Sequence, residues 1–138
     1  MTQRYSFALC LSHDVDRIYK TYQHIYEAIG QLDPRQFFGY LKSKNPYWTF
    51  PQVMKIESSL DVRSCFNVLD EIHLRQRPKS DWICKKGWQL FAGRYDIKDS
   101  QLASQLQMLD NLGWEIALHG SYTSSANPAR FKSANDRI

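Results

Sequence analysis

Two carboxylates and an imidazole fall within four residues in the stretch Ser12-His13-Asp14-Val15-Asp16, directly after the apolar run Tyr5 to Leu11. Alternate residues at a strand end face the same side, so Asp14 and Asp16 can serve one site. One carboxylate would bind a divalent metal, and the other would act as general base on a bound water. A third group of the right type is His119, which follows the run Trp114 to Leu118 and could supply an imidazole ligand. Each residue also has a plainer reading. Asp16 could cap a helix starting at Arg17, Asp14 could be a turn residue, and His119 a structural hydrogen bonder. His13 alternates with Asp14 along the strand and is assigned a supporting role on the other side. His24 is expected on a helix surface, and His73 in a charged loop.

Other chemistries fit less well. Ser12, His13 and Asp14 are adjacent, and neighbours on an extended chain cannot adopt the geometry of a Ser-His-Asp relay. The sequence has no nucleophile elbow, no glycine-rich phosphate loop and no Cys-His metal ribbon. Cys10, Cys65 and Cys84 are odd in number and match no redox or metal spacing. Cys10 and Cys65 lie in apolar runs and are expected to be small buried hydrophobes, which suits a reducing compartment.

These groups need elements to hold them. Tyr5 to Leu11 reads as a strand buried on both faces. Residues 17–29 carry Ile18, Tyr22, Ile25 and Ile29 on one helical face, closed by Gly30. Asp33, Pro34 and Gln36 form a capping signature, as do Thr49 and Gln52 ahead of a helix whose Val53, Ile56 and Leu60 share a face. Val62 to Leu69 is the second strand, with Val62, Ser64, Phe66 and Val68 on one side and Cys65 and Asn67 on the other. It leads into Asp70, Glu71 and His73. The segment from Asp70 to Asp99 is expected to hold at most one short strand or helical turn. Asp99 or Ser100 then caps a helix carrying Leu102, Leu106, Leu109 and Leu112, stopped by Gly113. Trp114 to Leu118 is the third strand, and Asn127-Pro128 opens a last helix. Strands alternating with helices predict a parallel α/β sheet with right-handed crossovers. Titratable groups are expected to gather at the strand ends and to be nearly absent from the strands themselves. In such folds the loops after the strands converge on one functional face.

Composition sets the outer bounds. The chain has 138 residues, 43% of them hydrophobic and 14% aromatic, with a formal net charge of +4. This is the length and composition of one globular domain. The basic residues are spread along the chain, densest at Arg75, Arg77 and Lys79 and at Lys85 and Lys86. That is weak support for a nucleic-acid partner, which favours a clustered stripe. The first apolar run is too short for a signal sequence or a membrane span, so a cytoplasmic protein without a membrane partner is expected.

At SHDVD and GWEIALHGSY the sequence resembles the polysaccharide deacetylases, the carbohydrate esterase family 4 or NodB-homology group. Their first motif closes a strand with a pair of aspartates, and Asp14-Val15-Asp16 is similar to the Asp-x-Asp version. The resemblance implies Asp14 as catalytic base and Asp16 as metal ligand. Gly113 to His119 is similar to the start of the second motif and implies His119 as a metal ligand. That motif's closing histidine falls at Thr123, so Ser121, Thr123 or water would complete the set, with His13 as an additional site residue. NPYWTFPQVMKIE, VRSCFNVLDE and AGRYDI extend the likeness over nearly the whole chain. The implied fold is a partial (β/α) barrel of the glycoside hydrolase/deacetylase type, one incomplete domain over residues 1–138 lacking the C-terminal strands. The implied reaction is metal-dependent removal of N-acetyl groups from an amino-sugar oligosaccharide or polysaccharide, with zinc as the leading metal and cobalt or nickel as alternatives. The family's later motifs, with an arginine that orients the base and a histidine general acid, would lie downstream. The expectation is therefore low or no activity for this chain alone. The alternative is a non-catalytic half-domain that self-associates through an open sheet edge.

Overall fold

The computed structural model describes residues 8–19, 45–122, 124, 129 and 132. Its frame is a three-stranded parallel sheet in the order β1 (Ser12–Val15), β2 (Cys65–Leu69), β3 (Glu115–His119). The elements between the strands are α1 (Phe50–Ser59), a 3₁₀ turn (Leu74–Gln76), α2 (Lys79–Trp82), α3 (Lys85–Phe91) and α4 (Ser100–Asn111). The mixed α/β class with a parallel sheet agrees with the sequence pattern. Among the described residues the sheet is small and open.

The register sorts the strand residues into two faces. Asp14 pairs with Asn67 and Asn67 with Ala117, while Val15 pairs with Val68 and Val68 with Leu118. Side chains alternate along each strand. One face therefore carries Val15, Phe66, Val68 and Ile116, and it packs with Phe50, Leu102, Leu109 and Trp114 into the main core. The other face carries Asp14, Asn67, Ala117 and His119.

Helix α4 forms as its sequence dictates. The Asp99 side chain accepts hydrogen bonds from the Gln101 and Leu102 amides, satisfying two donors of the first turn. Leu102 and Leu109 are completely buried. Gly113 adopts φ +88, a left-handed conformation that ends the helix. Helix α1 departs from expectation. Thr49 makes no side-chain cap, and Ile56 and Leu60 are exposed. The inward stripe is Phe50, Val53, Met54 and Glu57, an i, i+3, i+4, i+7 set that includes a carboxylate.

Three other expectations need correction. Among the described residues the first strand is Ser12–Val15, and Ala8 to Leu11 of the expected run are not strand. Ala8, Leu9 and Cys10 are exposed, and the ladder opens where the Cys65 amide meets the Leu11 carbonyl. Apolar content marks strand tendency, but the strand forms where a partner backbone lies alongside. As a result His13 and Asp14 lie within β1, and Glu115 and His119 within β3. The segment from Asp70 to Asp99 contains three short helical pieces rather than at most one. Residues 17–19 are not helical, and the rest of the expected 17–29 helix lies outside the described residues. So does the element expected to start at Asp33; of the helix expected from Asn127, the described residues Ala129 and Lys132 are helical. No helix among the described residues is long and apolar enough to cross a membrane.

Candidate active site

The open face of the sheet carries a line of polar groups drawn from all three strands. Cys65 Sγ approaches Asn67 Oδ1 at 3.5 Å, and Asn67 Nδ2 donates to Asp14 Oδ1 at 2.8 Å. The other carboxylate oxygen, Asp14 Oδ2, lies 3.6 Å from His119 Nε2. That distance is beyond a direct hydrogen bond but within ion-pair range for a protonated imidazole. Ala117, level with Asn67 in the register, presents only a methyl group beside this line. Asp14 and His119, remote in sequence, are thus brought together over β2. Burial pushes the Cys65 thiol above its ordinary value, and the charges of Glu115 and Cys10 add to the effect. The thiol is held protonated and is a poor nucleophile.

Asp16 stands just past the end of β1 and is drawn elsewhere. Arg94 Nη1 lies 3.7 Å from Asp16 Oδ1 and donates to the Asp16 carbonyl at 3.1 Å. Arg94 Nε donates to Leu90 O at 2.6 Å, so the end of α3 anchors the guanidinium. Tyr95 sets the spacing of the strand ends. Its hydroxyl donates to Val15 O at 2.5 Å and accepts from the Leu69 amide at 2.7 Å, joining β1 to β2. Burial raises the Tyr95 hydroxyl well above its ordinary value, so it stays protonated as this bridge requires.

The remaining sequence candidates take other positions. His13 lies on the opposite face of the sheet. Its Nε2 meets Glu57 Oε1 at 2.7 Å and its ring sits 5.1 Å from that of Phe66. Ser121 is buried, and its Oγ accepts from the Ser124 amide at 3.0 Å, shaping the turn after β3. Thr123 lies outside the described residues. His73 Nδ1 accepts from the Arg75 amide and caps the 3₁₀ turn. Asp70, Glu71 and His73 line a cleft of about 410 Å³ together with Tyr95.

Catalytic zinc takes three protein ligands, and a ligating histidine normally hydrogen-bonds through its other nitrogen. Here His119 Nδ1 is buried and has no hydrogen-bond partner among the described residues. No group of three or more His, Cys, Asp or Glu among those residues is placed to hold a metal ion. The described residues therefore do not complete a metal site: His119 faces Asp14, while Asp16 is held toward Arg94.

Three residues of this site were not singled out by sequence reading. Asn67 had a signal, since alternation in β2 placed it opposite the core, on the face that Asp14 now shares. Arg94 and Tyr95 fall in AGRYDI, a stretch that extends the family likeness, but no role could be read for them, because it depends on how the segment after β2 folds back over the strand ends. Comparison with known protein families, curated proteins and solved structures found no match to the chain.

Proposed function

We propose that the chain carries part of the catalytic centre of a polysaccharide-deacetylase-like hydrolase, which removes N-acetyl groups from amino sugars. The observation that supports this best is the approach of His119 Nε2 to Asp14 Oδ2 at 3.6 Å on the open face of the sheet. These two residues carry the motif resemblance, and they come from strands that are not neighbours.

The chain's own residues suit amide hydrolysis. Asn67 holds one oxygen of Asp14, leaving the other toward His119 and the open face. In that position Asp14 can act as general base, accepting a proton from an attacking water. Tyr95 and Arg94 fix the backbone from which Asp14 and Asp16 project. In this reading a divalent ion with Asp16 and His119 among its ligands needs a donor beyond the described set, so no step is derived through it.

The test is acetate release from N-acetylated chito-oligosaccharides with added zinc or cobalt, alongside the imidazole NMR signals of His119 during metal titration. The expected result is slow, metal-dependent release that is lost in Asp14→Asn, with His119 signals shifted by the metal. Release unchanged in both Asp14→Asn and His119→Ala, or His119 signals indifferent to metal with no release, overturns the reading.

A further inference from the structure

The densest basic segment of the sequence has no part in the candidate active site, and the fold gives it an unusual surface. Between Arg75 and Phe91 the chain carries five cationic side chains (Arg75, Arg77, Lys79, Lys85, Lys86) and one carboxylate, Asp81. That net charge equals the +4 of the whole chain. The same segment exposes large apolar groups. Ile83, at the corner between α2 and α3, is 90% exposed, and Trp82 and Trp88 are each 44% exposed. The three are contiguous, since Trp88 Nε1 donates to the Trp82 carbonyl at 2.6 Å, directly before Ile83.

The corner is rigidly built. Trp82 Nε1 donates to Arg77 O at 3.2 Å, and Arg77 pairs with Asp81 at 2.7 Å. The Gly87 amide donates to Cys84 Sγ at 3.2 Å. Gly87 lies so close to α2 that a Cβ there would be 2.0 Å from Asp81 O. Both indole N–H groups are satisfied by the chain itself, so their rings can leave water without an orphaned donor. The corner also lies at the candidate site's end of the sheet. Phe91 meets Tyr122 at 6.2 Å in the turn after β3, and Arg17 Nη2 donates to Gln89 O just after β1.

We propose that the α2–α3 corner is a docking surface for an anionic lipid membrane, with Ile83 and the rings of Trp82 and Trp88 entering the interface and the surrounding cations facing the lipid headgroups. Exposed aliphatic and indole groups rimmed by lysines suit this interface. Charge complementarity selects a negatively charged surface, each lysine or arginine near it adding about fivefold in affinity. A glycan is favoured less. An aliphatic apex offers no stacking plane, and the cations have no carboxylate or sulfate to meet on a neutral N-acetylated polymer. This departs from the sequence expectation of no membrane partner, which rested on the lack of a spanning segment; the surface lies on the membrane rather than crossing it. The inference is independent of the proposed catalysis.

The experiment is flotation of the full chain with vesicles of phosphatidylcholine alone and of phosphatidylcholine mixed with phosphatidylglycerol, with tryptophan emission recorded in parallel. The expected result is flotation and a blue shift with the anionic vesicles only, weakened by salt. Ile83→Asp changes an exposed residue and should reduce binding at least about tenfold, since it loses a buried aliphatic group and adds a negative charge. Lys79→Ala should reduce it about fivefold. No flotation with anionic vesicles, or flotation that neither substitution weakens, overturns the proposal. So does an indole response to chito-oligosaccharides without one to vesicles.

Discussion

Replacing Glu57 with alanine should be among the most damaging single substitutions in the described structure. Glu57 is buried on the inner face of α1 and ties that helix to three points of the sheet. Oε1 accepts from His13 in β1 at 2.7 Å. Oε2 accepts from the Ser64 amide at 3.2 Å and the Ser64 hydroxyl at 2.9 Å ahead of β2, and from Trp114 Nε1 at 2.5 Å ahead of β3. Burial alone would raise the Glu57 carboxyl, but hydrogen bonds from His13, Trp114 and Ser64 outweigh it and hold the group below its ordinary 4.5. With alanine, the donors of Ser64 and Trp114 stay buried without an acceptor, whereas the half-exposed His13 can reach water. Breaking a buried charged set in this way costs about 3–5 kcal/mol. At about 3–5 °C per kcal/mol for a chain of this size, the melting temperature should fall by roughly 10–25 °C. Glu57→Gln should cost only about 1–2 kcal/mol, because its carbonyl oxygen can serve Ser64 and Trp114 while its amide donates to an His13 tautomer that accepts at Nε2. The carboxylate's contribution is complete above pH 4.5 and is lost as the pH falls through its lowered folded value. The stability gap between the parent and Glu57→Gln should therefore narrow on acidification below that point. The assay is urea unfolding followed by circular dichroism across a pH series. A loss below about 1 kcal/mol for Glu57→Ala at neutral pH would refute the reasoning.

Three further outcomes follow from the same packing. Tyr95→Phe removes the hydroxyl that joins Val15 O to the Leu69 amide, and urea unfolding should show a loss of about 1–3 kcal/mol as the buried amide loses its acceptor. Leu109→Ala opens a cavity between α4 and the sheet, and the same measurement should show a loss of about 2–5 kcal/mol. Asp99→Ala removes the α4 cap for about 1 kcal/mol, while Asp99→Asn, which keeps an acceptor oxygen, should retain most of the stability; differential scanning calorimetry would separate the two.

Much of the frame was legible in the sequence because it rests on local rules. The alternation in Ser64 to Val68 predicted which of those side chains are buried, and the Asp99 cap, leucine spacing and Gly113 stop predicted α4. Local rules failed where a distant partner decides. Helix α1 turns Glu57 inward instead of Ile56 because three donors from three other parts of the chain meet it there. A hydrophobicity pattern counts a carboxylate as a surface group. Strand β1 forms over a polar stretch because the β2 backbone runs alongside it, and the exposed Leu9 and Cys10 show that apolar character alone did not decide its place.

For the candidate site, the sequence by itself determined the residue types and their order: Asp14 and Asp16 two apart on an extended segment, and His119 at the end of the third strand. Spacing of two puts both carboxylates on one side only where the strand continues, and β1 ends at Val15, which frees Asp16 to turn toward Arg94. Only the tertiary structure decided which groups meet. Parallel pairing through β2 brings His119 to Asp14 and places Asn67 against the same carboxylate, while the returning chain delivers Arg94 to Asp16 and Tyr95 to the strand ends. Those contacts depend on register and on a crossover between residues far apart in sequence, and neither quantity is encoded in any short stretch of the chain.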